Sequence, residues 1–341
     1  MVSIVLVTYN RAQRLKQSIR DILNQNFIDF ELIICDDCSP DETQEVCEHF
    51  ASLDGRIRYF RHDSNLRMPE NLNFGIRHAR YEYIAILHDG DRFRRDLIEQ
   101  WYNAISQNPN VGFVFNTIAT TDENNQIVQT FKNYDEGVIS KEELLENGFY
   151  KKKRFDSLVY GEAMVRRSLV ERYGYLKPEY GFYADVDLWI EILHTHDAYY
   201  CTDALYTGPS KSIMPQQFEM NLVEVFMYLY EMHFVHRKRT FRGNPRRSSF
   251  KMAYFYVSSC FYLTYYLLLT IKNFPLSRFF EAPKKLKKHW FLLIPWFITG
   301  IFYPVLRPLL QFLGNAKRQF IVSKAEVKSK WSVVNASESG G

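Results

Sequence analysis

The feature that most narrows what this chain can fold into is a series of short apolar runs, each cut off by polar residues and followed by an amphipathic stretch. The runs span residues 3–8, 30–35, 57–60, 83–87 and 111–116. Runs of this length without alternation read as strands buried on both faces, and the helical periodicity between them reads as covering helices. The pattern predicts an α/β domain: a Rossmann-like, mixed but mainly parallel sheet flanked by helices. A further strand is predicted around 199–206, one helix over 94–107, and another starting just after Gly181.

The endings of the runs carry the chemistry. Thr8-Tyr9-Asn10-Arg11 follows the first run, Asp36-Asp37-Cys38-Ser39 the second and His88-Asp89-Gly90-Asp91 the fourth. In open α/β sheets ligands bind outside the carboxyl ends of the strands, so the three clusters should meet in one crevice. None of the turns has a dinucleotide glycine fingerprint or a P-loop, which excludes a dehydrogenase and a P-loop kinase. Bare carboxylates repel an anionic nucleotide, and a divalent cation resolves that conflict. Asp89 and Asp91, flanking Gly90, can offer two carboxylates to one hard ion, Mg²⁺ or Mn²⁺, that also takes diphosphate oxygens.

Charge divides the chain in two. Residues 236–341 hold 19 Lys and Arg against three acids, whereas residues 1–235 hold 24 against 36. The expected organisation is a catalytic domain over 1–210, a connecting helix or linker over 211–235, a basic and aromatic helical region over 236–320, and a flexible tail over 321–341. The five cysteines are odd in number and Cys35 lies inside an apolar run, which points to a reducing compartment. Cys35 and Cys38 have the spacing of half a zinc site, but no second pair matches, and they are read as packing thiols. The chain opens directly on a strand-like run, and no signal peptide is predicted.

Four motifs in series resemble the inverting family 2 glycosyltransferases of the GT-A fold: residues 5–11, the acidic 30–43, Asn71-Leu-Asn-Phe-Gly-Ile-Arg-His-Ala79, and Tyr83-Ile-Ala-Ile-Leu-His-Asp-Gly-Asp91. The resemblance covers about residues 2–208. It implies that Thr8, Tyr9, Arg11, Asp36 and Asp37 hold the base and ribose of a nucleotide-diphosphate sugar. It further implies that Asp89 reaches the ribose and shares the metal with Asp91, and that Asn73 and Gly75 pass beside the donor sugar. Residues 181–190 are similar to the family's Glu-Asp-x-Asp-Leu-Trp motif, which makes Asp185 the catalytic base. Asp187 is read as a helix-start carboxylate. Ala184 departs from the pattern where the family usually has Glu. His194 and His196 are read as helix-terminal histidines, with a third metal ligand as the alternative. Lys211 stands either as a cationic lid over the diphosphate or as a solvated loop lysine.

Residues 252–271 and 290–306 carry no charge and are bounded by basic clusters. A spanning helix would leave one cluster outside, and Pro295, Pro304 and Pro308 interrupt the second stretch. The expectation is shallow insertion against anionic lipids at the cytoplasmic face of a membrane, peripheral or monotopic. A packed helical subdomain is the alternative. Nucleic acid is a poor partner for clusters separated by such apolar stretches. The reading is therefore an enzyme, transferring a sugar to a lipid-linked or polysaccharide acceptor by metal-assisted displacement. A sugar-nucleotidyl transferase and a catalytically degenerate membrane scaffold are the alternatives.

Overall fold

The structure is a computed structural model. It describes residues 1–122, 124, 126–149, 162–209, 222–240, 255, 256, 259 and 260. The predicted runs form strands β1 (Val2–Thr8), β2 (Phe30–Asp36), β3 (Ile57–Arg61), β4 (Tyr83–His88) and, after the two-residue β5 (Arg92–Phe93), β6 (Val111–Thr121). Between them stand α1 (Ala12–Leu23), α2 (Thr43–Leu53), α3 (Met68–His78) and α4 (Leu97–Ser106). There follow β7 (Ile127–Phe131), β8 (Gly137–Ile139), a turn of helix α5 (Lys141–Glu143), β9 (Ala163–Arg166), α6 (Arg167–Tyr173), α7 (Ala184–Leu193), β10 (Asp197–Pro209) and α8 (Leu222–Thr240).

The sheet runs β3-β2-β1-β4-β9-β6-β10-β5, with β7 on β6 and β8 on β10. Strands β3, β2, β1 and β4 are mutually parallel, as are β6 and β10. Strand β9 enters antiparallel between β4 and β6, pairing Ile86 with Ala163 and Phe113 with Val165. That insertion makes the sheet mixed, as the composition of runs leads one to expect, although β7, β8 and β9 themselves are not predicted.

Both faces of the central strands are buried, which is why their sequences show no alternation. Ile4, Leu6, Leu32, Ile34, Ala85 and Leu87 join one core with Leu15 and Ile19 of α1, Val46 and Cys47 of α2 and Trp101 of α4. On the opposite face α3 lies so close that a Cβ added at Gly75 would collide with Val5 and meet Cys35 Sγ at 3.0 Å. Burial pushes the Cys35 thiol up to about 12, and all five cysteines are free, as packing thiols should be. Helix α4 starts three residues later than predicted. The Arg94 amide donates to Leu205 O at 2.9 Å and its guanidinium pairs with Asp96 and Asp203, which ties 92–94 to β10 first.

The chain divides into two compact units, 1–219 with 231–242, and 220–230 with 243–341. Residues 236–240 of α8 fall in the first unit, with the sheet. The cause is specific: His236 and Arg239 pair with Asp187 and Glu191 of α7. In the second unit the rings of Tyr230 and Phe255 stack at 5.2 Å. The uncharged stretches lie outside the described residues, apart from residues 255, 256, 259 and 260. Among the described residues no helix is long and apolar enough to cross a membrane.

Candidate active site

The carboxyl ends of β1, β2 and β4 converge as the sequence requires, since β1 pairs with both neighbours to their last residues. Thr8 donates to Asp89 Oδ2 at 2.7 Å, and Arg11 Nη1 meets Asp89 Oδ1 at 3.1 Å. Tyr9 stands 46% exposed at the tip of β1, so its ring is free to face a ligand. Gly90 holds φ +92°, a conformation glycine tolerates and other residues resist, and this turns Asp89 and Asp91 back toward the sheet. Ser18 of α1 pins that turn. Its hydroxyl donates to Asp91 O at 2.9 Å and accepts from the Gly90 amide at 3.1 Å.

Other predicted residues reach the same rim with their polar atoms already committed. Asp36 is fully buried and accepts from the Ser39 amide and the Tyr59 hydroxyl. Asp37 accepts from the amides of Leu66 and Arg67 at 2.6 and 2.9 Å, fixing the loop before α3. The Asn73 amide clamps the backbone of Leu176 at both ends, 2.8 and 2.9 Å. These three build the walls of the crevice. Lys211 lies outside the described residues.

Two acids complete the floor. Asp185, in the first turn of α7, is half-buried and has no ion pair among the described residues. Loss of solvent pushes its carboxyl up to about 7, with the backbone amides and His88 pulling weakly the other way. Glu162, one residue before β9, is 3% exposed and belongs to none of the sequence motifs. Its Oε1 lies 2.6 Å from His88 Nδ1, and it also hydrogen-bonds Asp91 and Tyr206. Burial works to raise Glu162, but His88 together with hydrogen bonds to Asp91 and Tyr206 holds the carboxyl low. Burial likewise works against a charged His88, yet Glu162, Asp185 and Asp89 together raise its pKa. Asp91 is driven well above the ordinary carboxylate range by burial and then by Glu162. Asp89 is raised by burial, with Arg11 and Thr8 restraining it. Four carboxylates thus gather around too little positive charge, and oxygen ligands in that deficit are the donor set a hard divalent cation takes. Both oxygens of Asp89 are engaged, by Thr8 and Arg11, and Asp91 shares a hydrogen bond with Glu162.

Asp187 faces elsewhere, because two helical residues are 200° apart. It accepts from His236 Nε2 and Lys177 Nζ, both at 2.8 Å, so both of its oxygens are engaged. His194 points to the same side, its Nε2 3.1 Å from His236 Nδ1. Neither it nor His196, bonded to Thr195, joins the acids at the rim. Ala184 is fully buried.

The fold is that of the GT-A glycosyltransferases, and comparison bears this out. Residues 3–174, half of the chain, match the profile described as glycosyl transferase family 2, and the chain belongs to that family. An uncharacterized glycosyltransferase of Methanocaldococcus jannaschii is 31% identical over 134 residues, 39% of this chain and 46% of the relative, so under half of its length is matched. The GalNAc(5)-diNAcBac-PP-undecaprenol beta-1,3-glucosyltransferase of Campylobacter jejuni is 25% identical over 224 residues, 62% of this chain and 69% of that protein. Among solved structures, S. aureus TarS 1-349 in complex with UDP-GlcNAc aligns at TM-score 0.58 and 14% identity, covering 89% of this chain and 91% of that one. The mannosyltransferase PcManGT of Pyrobaculum calidifontis, in complex with GDP-Man and Mn²⁺, aligns at 0.51 and 16%, covering 88% and 87%. At such identities these two show the shared fold.

Proposed function

We propose that the enzyme is an inverting glycosyltransferase that uses a nucleotide-diphosphate sugar and a metal ion, with Asp185 as general base. The observation that carries this is Asp185 itself: a carboxyl without an ion partner among the described residues, poised near neutrality, beside the acids of the rim. A base so tuned is deprotonated often enough to act and basic enough to take a hydroxyl proton. The acceptor oxygen attacks the anomeric carbon as its proton passes to Asp185. The bond from that carbon to the diphosphate oxygen breaks, and its electron pair leaves with the nucleoside diphosphate. Thr8, Tyr9 and Arg11 line the donor side, on walls fixed by Asp36, Asp37 and Asn73. Asp89 and Asp91 would hold Mg²⁺ or Mn²⁺, which would supply positive charge for the departing diphosphate.

The acceptor we assign is lipid-linked or a polysaccharide. The undecaprenol-linked substrate named for the Campylobacter relative supports this, as does the basic, uncharged-aromatic pattern after residue 242. The same pattern supports a location at the cytoplasmic face of a membrane. The test is incubation with UDP- and GDP-sugars and Mn²⁺, scoring hydrolysis and transfer to polyprenyl-diphosphate-linked sugars by NMR of the anomeric proton. Product with inverted configuration is expected, and retention or metal-independent turnover overturns the proposal. A chain ending after residue 242 should keep donor hydrolysis and lose binding to anionic vesicles.

A further inference from the structure

On the far side of α7 from Asp185, we infer a second metal site, for Zn²⁺ or a similar borderline transition ion, built from Glu191 and His194 of α7 and His236 of α8. Their ligand atoms all lie within 4.8 Å of one another. Glu191 and His194 are three apart and share a helix face. His194 Nε2 and His236 Nδ1 face each other at 3.1 Å. Two nitrogens on one tetrahedral zinc, bonded at about 2.0–2.1 Å, stand roughly 3.3 Å apart, so a shift of tenths of an ångström makes room for the ion between them.

The outer shell is also in place. His236, 1% exposed, donates Nε2–H to Asp187 Oδ1 at 2.8 Å. That bond fixes the tautomer and leaves the Nδ1 lone pair toward His194, the carboxylate–histidine–metal arrangement that orients ligating imidazoles. Lys177 anchors Asp187 in turn, at 2.8 Å. Opposing occupancy, Glu191 Oε2 pairs with Arg239 at 2.6 Å and Oε1 with Lys177 at 3.4 Å. Arg239 is half exposed and turns to solvent when an ion takes Glu191. Two imidazoles and one carboxylate select zinc, cobalt or nickel over magnesium and manganese, so this site and the acidic rim draw on different metals. The ion would clip the 231–240 turns of α8 to α7.

The experiment uses the full chain without a polyhistidine tag, stripped with a chelator and kept in excess Mg²⁺ to fill the rim. Zn²⁺ is titrated by calorimetry and Co²⁺ by visible absorption. One Zn²⁺ per chain and a tetrahedral Co²⁺ spectrum are expected, both unchanged in Asp91→Asn. His194→Gln should weaken Zn²⁺ more than about a hundredfold, since outer-shell partners alone are worth about 10- to 100-fold. Arg239→Gln, which keeps every ligand and removes a competing cation, should tighten it. No Zn²⁺ uptake in Mg²⁺, or equal uptake by His194→Gln, overturns the site. Unchanged affinity in Arg239→Gln removes Glu191 from it.

Discussion

Asp185 and Asp187 sit two residues apart on α7, and the protein treats them in opposite ways. Asp185 faces the acidic rim, loses water without gaining a cation of its own, and its carboxyl rises to about 7. Asp187 faces α8. Burial works to raise it too, but His236 and then Lys177 more than compensate, and its carboxyl is held low. One helix thus carries an acid left near neutrality on one side and an acid committed to holding structure on the other. The difference lies in the neighbours, since the residue type and the helix are the same.

The sharpest way to break this contrast is Asp185→Asn. Turnover should fall by about a hundredfold or more, with nucleotide-sugar affinity near wild type. If turnover survives, the two acids are not functionally distinct. The wild-type rate constant should rise with pH as Asp185 loses its proton, with a midpoint at or below about 7 because a bound cation lowers it. Stability runs the other way at this residue. A folded pKa above the unfolded value of about 3.9 favours the fold at low pH, and that contribution is lost as pH rises through the folded value.

Asp91→Asn comes next, on the rim side. It should weaken Mn²⁺-dependent nucleotide binding on the order of tenfold or more, and unchanged affinity in Mn²⁺ would sink the assignment of this ligand. For the structural face the variant is Asp187→Asn, which leaves His236 and Lys177 without their anion. Melting should register a loss of about 2 kcal/mol, the low side for a buried pair because Lys177 is part exposed, while donor affinity holds. The depressed Asp187 pKa adds stability at neutral pH that is lost as pH falls through its folded value, so the gap between wild type and variant should close on acidification. The smallest effect belongs to Ser18→Ala. Losing two bonds to the Gly90–Asp91 turn should cost about 1 kcal/mol and raise the metal concentration for half-activity severalfold.

The central strands and three of the site's clusters were legible because buried parallel strands leave unbroken apolar runs and their carboxyl ends show as sudden polarity. Glu162 escaped for a topological reason. Strand β9 is antiparallel, so the residue that reaches the rim precedes the strand, and a search that looks after each run passes it by. Its signal is an acid directly ahead of the short apolar 163–165. Ser18 gave no signal, since a serine in an amphipathic helix looks like ordinary surface. His236 was assigned to a basic region by charge counting, which cannot see that its ring is buried against α7. The commitments of Asp37 and Asn73 to backbone amides and carbonyls were equally invisible, because motifs record residue types and not hydrogen-bond partners.

The reversed strand has an evolutionary consequence. In a wholly parallel sheet, everything that varies at the catalytic rim must be encoded downstream of a strand, in segments that also shape the nucleotide pocket. Here β9 delivers Glu162 from the upstream side, so a substitution at residue 162 alters the rim without passing through the turns at residues 8–11, 36–39 or 88–91. Lineages can vary the rim at that position while the three turns stay under separate selection.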